Sequence, residues 1–490
     1  MYQIQPILIT LLDTMLITLE CVILALQAVA AVRLALESPF ESASQSNNRL
    51  SKRSPVVLGG GDRKCYRMKS NVNGINLNLR VESAFSDIIV PLPSSSNNIG
   101  LAIQSVSSGE PVTIKYKGDE YRGISSKAVV TIPGTRITDI KLPVIAVKKQ
   151  SPDLIGISPN LDGVFGIGYS SLSKHHPPAT AMDILYNGNT IPNNEVGLQL
   201  CPYDMISNSF INIGNTDITA KCGTNGRSVA WVDSPSDGYF SVNIKSILIN
   251  GEQVDLPAEF QKRILKNGYA LYSRVETCFT FMQFPERVVA TLIDVIVGSN
   301  AIIFKKKKLS DKLNKEMVKR KLRKNRPIFK SNYNIDWSKL PTVSITMFSQ
   351  NPVTDENRNS VVTIELGPKD YIQIIDSKHV RFTVKVGSSD HAILGISFMT
   401  RLLLTFDRAH KRIGFAPGCG CETATDGYPT ISNGDQVLWS PSQLPEQPST
   451  SSSSGRSGLR RSLLRLGSTL RDNIRRGSKR SKANYEKLED

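Results

Sequence analysis

Two glutamates stand out as residues that could do chemistry together. The chain writes "RVESAFSDIIVP" from Arg80 to Pro91 and "RVETCFTFMQFP" from Arg274 to Pro285, 194 residues apart, with Glu82 and Glu276 each nine residues before a Pro. A single Glu in such a stretch would be a solvated surface residue. Two at matching positions of an internal repeat, each in the apolar context Arg-Val-Glu, point instead to a shared site. Paired carboxylates can hold one proton and one water between them, one acting as base toward the water while the other donates to a polarised carbonyl.

Each carboxylate has a later companion. "LDGVFGIG" (Leu161–Gly168) and "HAILGIS" (His391–Ser397) both set two bulky apolar residues before a Gly, Gly166 and Gly395. A Gly in a strand marks close approach of another backbone. The elements that must position these groups are mostly strands: "GINLNLRV", "KAVVTIPG", "SFINIG", "TVSITMF", "VVTIEL" and "KRIGFAPG" are rich in Val, Ile, Thr and Phe and bounded by turn residues. "PERVVATLIDVIV", with Pro285 at its first turn, and the basic stretch after it read as the convincing helices. Two similar β lobes, each contributing one carboxylate turn, are the expected plan.

Order and arrangement of these motifs resemble the pepsin-like aspartic peptidases, in which each lobe supplies an Asp-Thr/Ser-Gly turn and an apolar-apolar-Gly strand beside it. Within that family the likeness is greatest to beta-secretase, carried by "EVGLQLC", "SFINIGNTD", "GYFSVNIKSILINGEQVDL", "WSKLPTVSITMF" and "LLLTFDRAHKRIGFA", over about Tyr66 to Cys421. The resemblance implies a bilobal, mostly β fold with an interlobe cleft, no cofactor and no metal, and an extended peptide or protein as ligand. It assigns Glu82 and Glu276 to the catalytic positions and Ser83, Ala84, Thr277, Cys278, Gly166 and Gly395 to the supporting shell. It also assigns a flap hairpin to "YKGDEYRG", with Tyr116, Tyr121 and Gly123.

At the two family triplets this chain has Glu82-Ser83-Ala84 and Glu276-Thr277-Cys278, so only the middle hydroxyl residue of each is kept. A Glu is one methylene longer than Asp, and a misplacement of roughly 1 Å can cost on the order of 10²-fold in rate. Ala84 and Cys278 bring a Cβ where the family has none, and Cys278 a thiol, free or bridged. The first expectation is a catalytically impaired homologue, a pseudoenzyme that binds peptide in its cleft. The alternatives are an active aspartic-type endopeptidase using the Glu82/Glu276 pair and a basic protein that binds membrane surfaces.

Domain boundaries follow: residues 1–31 as signal peptide or anchor, 32–53 as a short propeptide-like segment ending at Lys52-Arg53, 54–235 and 236–422 as the two lobes, and 423–490 as a Ser-rich linker and tail. The apolar start, with "AVAA" at Ala28–Ala31, fits a secretory signal. The secretory pathway, with the protein secreted or membrane-associated, is the expected location. Besides Cys21, six cysteines remain: Cys65, Cys201, Cys222, Cys278, Cys419 and Cys421. An even count there fits disulfides of open connectivity. The beta-secretase resemblance pairs Cys201 with Cys419 or Cys421.

The net charge of +17 is local. Lys305–Arg326 holds twelve basic and two acidic residues and Arg456–Lys482 ten and one, so the rest of the chain is nearly neutral. That argues against specific nucleic-acid recognition. In the tail, Leu459, Leu463, Leu466, Leu470 and Ile474 align at helical spacing opposite an Arg-rich face. Residues 459–482 thus suit a helix lying on an anionic membrane.

Overall fold

A computed structural model describes the backbone of residues 32–35 and residues 65–438, apart from 92–108, 117–118, 134, 148–162, 202–208, 215–228, 237, 266–269, 306–309 and 419–426. The expectations for residues 1–31, the dibasic pair, Cys222, Cys419, Cys421 and the tail 459–482 fall outside the described residues.

The N-terminal lobe is a seven-stranded sheet with strands in the order Arg67–Val72, Ile75–Glu82, Gly163–Gly166, Ile88–Pro91, Ile140–Val147, Asp119–Thr131 and Pro111–Tyr116. The C-terminal lobe holds a five-stranded sheet in the order Ser241–Val242, Ser273–Val275, Ile393–Leu394, Met282–Phe284 and Val384–Val386. Their centres are wired alike. The strand leading into each Glu runs parallel to the Gly-bearing strand, with Glu82 opposite Gly166 and Val275 opposite Leu394. That strand is antiparallel to the one leaving the turn, with Ile88 opposite Phe165 and Met282 opposite Leu394. The leaving strand then runs parallel to a fourth, Ile140–Val147 in one lobe and Val384–Val386 in the other. The sequence repeat is therefore a repeat of topology, and the chain adopts the expected bilobal, mostly β fold.

A six-stranded sheet joins the halves. It orders Val32–Ala35, Phe210–Ile213, Glu195–Gln199, Leu402–Asp407, Arg412–Pro417 and Ala230–Asp233. Val32–Ala35, expected in a propeptide-like segment, is thus an edge strand here, opposite Phe210–Ile213. The C-terminal lobe also extends beyond the expected limit at 422. Thr430–Asn433 pairs with Val361–Leu366, and with Gln436–Leu438 across a turn that uses Gly434 at φ 59°.

Strand alternation divides the apolar residues. Ile88, Val90, Val144 and Phe165 enter one core that runs through both lobes. Ile89, Ile145 and Val164 point to the opposite face of the same sheet and form a smaller cluster with Val112, Ile114, Tyr121 and Val147. The Glu286–Gly298 helix buries Val288, Val289, Leu292, Ile293 and Ile296, the one-sided spacing of a core-facing helix. Pro285 is its N-cap, one position before the expected first turn. Ala181–Asn187 is a helix that the sequence reading left out. Thr180 caps it by accepting from Asp183 N at 3.1 Å while its hydroxyl donates to Asp183 Oδ2 at 2.6 Å.

Candidate active site

The two Glu turns meet at the boundary of the lobes. Ser83 and Thr277, both buried, exchange hydrogen bonds with near two-fold symmetry. Ser83 N donates to Thr277 Oγ1 at 2.9 Å and Thr277 N donates to Ser83 Oγ at 3.1 Å. Each hydroxyl then donates one residue pair further back, Ser83 Oγ to Val275 O at 2.9 Å and Thr277 Oγ1 to Val81 O at 2.8 Å. Only a residue with both a hydroxyl donor and acceptor lone pairs can serve both bonds. That requirement explains why these middle residues are Ser and Thr.

The two glycines sit where the repeat placed them. A Cβ at Gly166 would lie 2.6 Å from Asp87 N and from the carbonyl carbons of Phe85 and Ser86. One at Gly395 would lie 2.1 Å from Phe279 O and 2.3 Å from Phe281 O. In both lobes the segment after the Glu folds directly over its Gly. Ile167 N donates to Glu82 O and Glu276 N to Leu394 O, each at 3.0 Å, which ties strand and turn together.

The carboxylates differ in their surroundings. Glu82 is 2% exposed, and its Oε1 accepts from Ala84 N of its own turn at 3.3 Å. The Glu276 side chain is 16% exposed and forms an ion pair with Arg274 at 3.2 Å. The Arg274 guanidinium also stacks 5.2 Å from the Tyr239 ring centre, and its Nη2 lies 3.5 Å from His391 Nε2. Arg274 is the first residue of the repeated Arg-Val-Glu phrase, and its contact with Glu276 was not anticipated.

Cys278 is bridged. It forms a disulfide with Cys65 across 213 residues, with Cα atoms 4.7 Å apart. The Cys278 sulfur also lies 3.6 Å from Val81 O. Both sulfurs and a Glu82 carboxylate oxygen fall within 4.8 Å of one another, all buried. With the sulfurs bonded together, this trio offers a cation a single carboxylate, which is no metal-ligand set. Cys201 is also disulfide-bonded, with its partner outside the described residues.

The flap hairpin pairs Pro111–Tyr116 with Asp119–Thr131. Tyr116 ends its strand, and its side chain is outside the described residues. Gly123 admits the Ile140–Val147 strand: a Cβ there would lie 2.8 Å from Ala146 O. Tyr121, expected to face a ligand, is 2% exposed and packs into the smaller apolar cluster. It supports the hairpin from within, because its position on the strand puts it on the same face as Val112, Ile114 and Ile145. Phe85, one residue beyond the first triplet, packs against that cluster and connects it to the Glu82 turn.

A buried polar chain not anticipated from sequence lies beside this turn. Ser125 Oγ and His175 Nδ1 share a 2.6 Å hydrogen bond, and His175 Nε2 lies 3.8 Å from Asp87 Oδ1. Asp87 accepts from Ser173 Oγ at 2.7 Å and from Lys174 N at 2.8 Å. Burial raises the Asp87 carboxyl above its ordinary value, against those hydrogen bonds. Burial likewise lowers the His175 imidazole, against the pull of Asp87. Ser86-Asp87 in "SAFSDII" and "SKHHPP" gave no spacing from which their contact could be read.

Among the described residues, no helix is long and apolar enough to cross a membrane. The family model of the eukaryotic aspartyl proteases matches residues 102–418, from the approach to the flap, through the second triplet, to the end of the joining sheet. That match covers most of the chain and takes in the flap hairpin, both close-approach glycines and the Glu276 turn, while the Glu82 turn lies ahead of it. The chain belongs to the eukaryotic aspartyl protease family.

Proposed function

We propose that this protein is a catalytically impaired member of the aspartyl protease family that binds an extended peptide or protein segment between its lobes. The observation that carries the reading is the Cys65–Cys278 disulfide, packed within 4.8 Å of the Glu82 carboxylate oxygen. The family's reaction needs two closely opposed carboxylates with a water between them. In this chain sulfur fills space beside one carboxylate, and a guanidinium pairs with the other. Both carboxylates also carry an extra methylene, so the shared-proton geometry is weakened from both sides.

The binding half of the reading rests on scaffold. The hydroxyl exchange, both close-approach glycines and the flap hairpin are kept, and the hairpin's Pro111–Tyr116 strand is the outer strand of its sheet. Extended peptides add to such edges through main-chain hydrogen bonds, with alternate side chains entering pockets. Phe85, half-buried beside the Glu82 turn, favours a bulky apolar side chain in the ligand. A disulfide beside the centre suits an oxidising compartment, and the secretory pathway is the location proposed.

The test is hydrolysis of a peptide library across about pH 3 to 7, compared with a Glu82→Gln/Glu276→Gln variant, together with retention of the same peptides on immobilised protein. We expect equal, background hydrolysis by both proteins and saturable retention of apolar peptides. Cleavage that the double substitution abolishes would establish an active Glu-based endopeptidase instead.

A further inference from the structure

Within the basic stretch, the described residues 310–326 contribute nothing to the carboxylate site, yet they are held in a fixed position. Its helix, Asp311–Arg323, buries Asn314, Val318 and Leu322. Asn314 is a polar anchor: its Oδ1 accepts from Phe304 N at 2.8 Å and its Nδ2 donates to Ile302 O at 3.4 Å. Ser310 caps the N-terminus by accepting from Leu313 N, and Lys319 reaches Asp294 of the neighbouring helix at 2.6 Å.

At about 100° per residue, the arc opposite Asn314, Val318 and Leu322 carries Lys312, Leu313, Glu316, Arg320, Arg323 and Lys324. All six are exposed. Asp311 is taken by Lys315 at 3.1 Å, so Glu316 is the one acid left among the described residues of this face. The crowding extends around the side. Lys321 Nζ donates to Pro327 O at 3.2 Å and lies 5.9 Å from the Phe329 ring centre. Burial, then the charges of Arg326 and Arg320, hold its ammonium below the usual lysine value. Like charges are thus gathered with few counter-charges; Leu313, 57% exposed, stands among them, and Phe329, 43% exposed, lies beside Lys321 at the flank.

We propose that this outward face docks on an anionic membrane surface. Cations surrounding the exposed Leu313, with Phe329 at the flank, match the boundary between lipid headgroups and acyl chains, where basic residues meet anionic headgroups and apolar ones leave water. A nucleic acid or sulfated polysaccharide would use the cations and give Leu313 no favourable place. The proposal is independent of the cleft and of whether any peptidase activity remains.

The experiment is sedimentation of the full chain with vesicles of phosphatidylcholine alone and of phosphatidylcholine with one third phosphatidylserine. We expect binding to the anionic vesicles only. Neutralising Arg320, Arg323 and Lys324 together to Gln should weaken it on the order of 100-fold, about fivefold per cation. Leu313→Gln should weaken it severalfold without any charge change. These side chains are exposed, so each variant should melt with the parent, and that measurement accompanies the assay. Unchanged binding of the triple variant would assign attachment to the basic tail and overturn the proposal. So would retention on a heparin column that the triple variant loses while vesicles fail to bind the parent, which would name a soluble polyanion instead.

Discussion

Replacing Cys65 and Cys278 with Ala would release the strongest covalent constraint between the segment preceding the first sheet and the second carboxylate turn. The bond closes a span of 213 residues. Chain-entropy scaling for a loop of that length gives about 5 kcal/mol at 25 °C. The span from Cys65 to Leu438 holds most of the described residues and sets the scale. At about 2.1 cal/mol/K per residue its unfolding entropy is roughly 0.8 kcal/mol/K, so a loss of that size lowers Tm by about 6 °C. The Cys201 disulfide shortens the effective loop and reduces the figure, whereas the void left by two buried sulfurs increases it. Scanning calorimetry of the oxidised parent and the double variant measures the shift, and peptide mapping under non-reducing conditions establishes the pairing. A shift of less than about 1 °C, or Cys65 and Cys278 recovered as free thiols from native protein, would refute both the weld and its proposed obstruction of the carboxylate centre.

Other perturbations probe the rest of the site. Gly395→Ala puts a methyl 2.1 Å from Phe279 O, where backbone must move, and should cost about 3 kcal/mol or more, read as a lowered denaturant midpoint. An unchanged midpoint would mean that the backbone around Gly395 yields without cost. Thr277→Ala removes one donor and one acceptor from the hydroxyl exchange and leaves Ser83 N buried without its partner, a loss of about 2 to 3 kcal/mol by chemical denaturation. A Thr277→Ser variant should recover most of it. Restoring the family triplets with Glu82→Asp, Ala84→Gly, Glu276→Asp and Cys278→Gly, with Cys65→Ser to avoid a lone thiol, should yield acid peptidase activity blocked by a pepstatin-type inhibitor. Inactivity in a folded variant would place the divergence in the cleft itself. Acid should weaken the fold. Burial raises Asp376, Asp390 and Asp407, but hydrogen bonds prevail and hold all three below the ordinary carboxyl value. Their stabilisation is complete above the unfolded value near 3.9 and is lost as pH falls through the depressed values, so Tm should decline below about pH 4. Asp87, raised by burial, works in the opposite sense, and a Tm that rises on acidification would show that it dominates.

The doubled phrase was legible because the same physical demands act twice on one chain. A carboxylate turn, a hydroxyl that must donate and accept, and a Gly over which backbone passes leave the same residues at the same offsets in each lobe. The Cys65–Cys278 pair left no such trace. Its halves are 213 residues apart, and only the meeting of two sheets brings them together. Tyr121 was misplaced for a related reason: alternation says which strand neighbours share a face, but not that this face of the flap is packed. The Ala181–Asn187 helix spans seven residues, too few for a period to stand out, although Thr180 and Asp183 three apart are a capping signal in hindsight. The basic run gave the helix but not its start. That start is set by Ser310, whose side chain caps the first turn.

The joining sheet has a consequence for how the chain is made. Glu195–Gln199 and Phe210–Ile213 pair with each other early, but the other edge of Glu195–Gln199 is completed only by Leu402–Asp407, with Gln199 opposite Leu403. Synthesis at 5 to 20 residues per second puts those partners about 10 to 40 s apart. During that interval the nascent N-terminal half presents an open ladder of amides and carbonyls flanked by Val196 and Leu198, the kind of edge that recruits unwanted strands. Production of this protein should therefore depend on a chaperone that shields that edge until the last hairpin, Leu402–Asp407 with Arg412–Pro417, emerges and closes it.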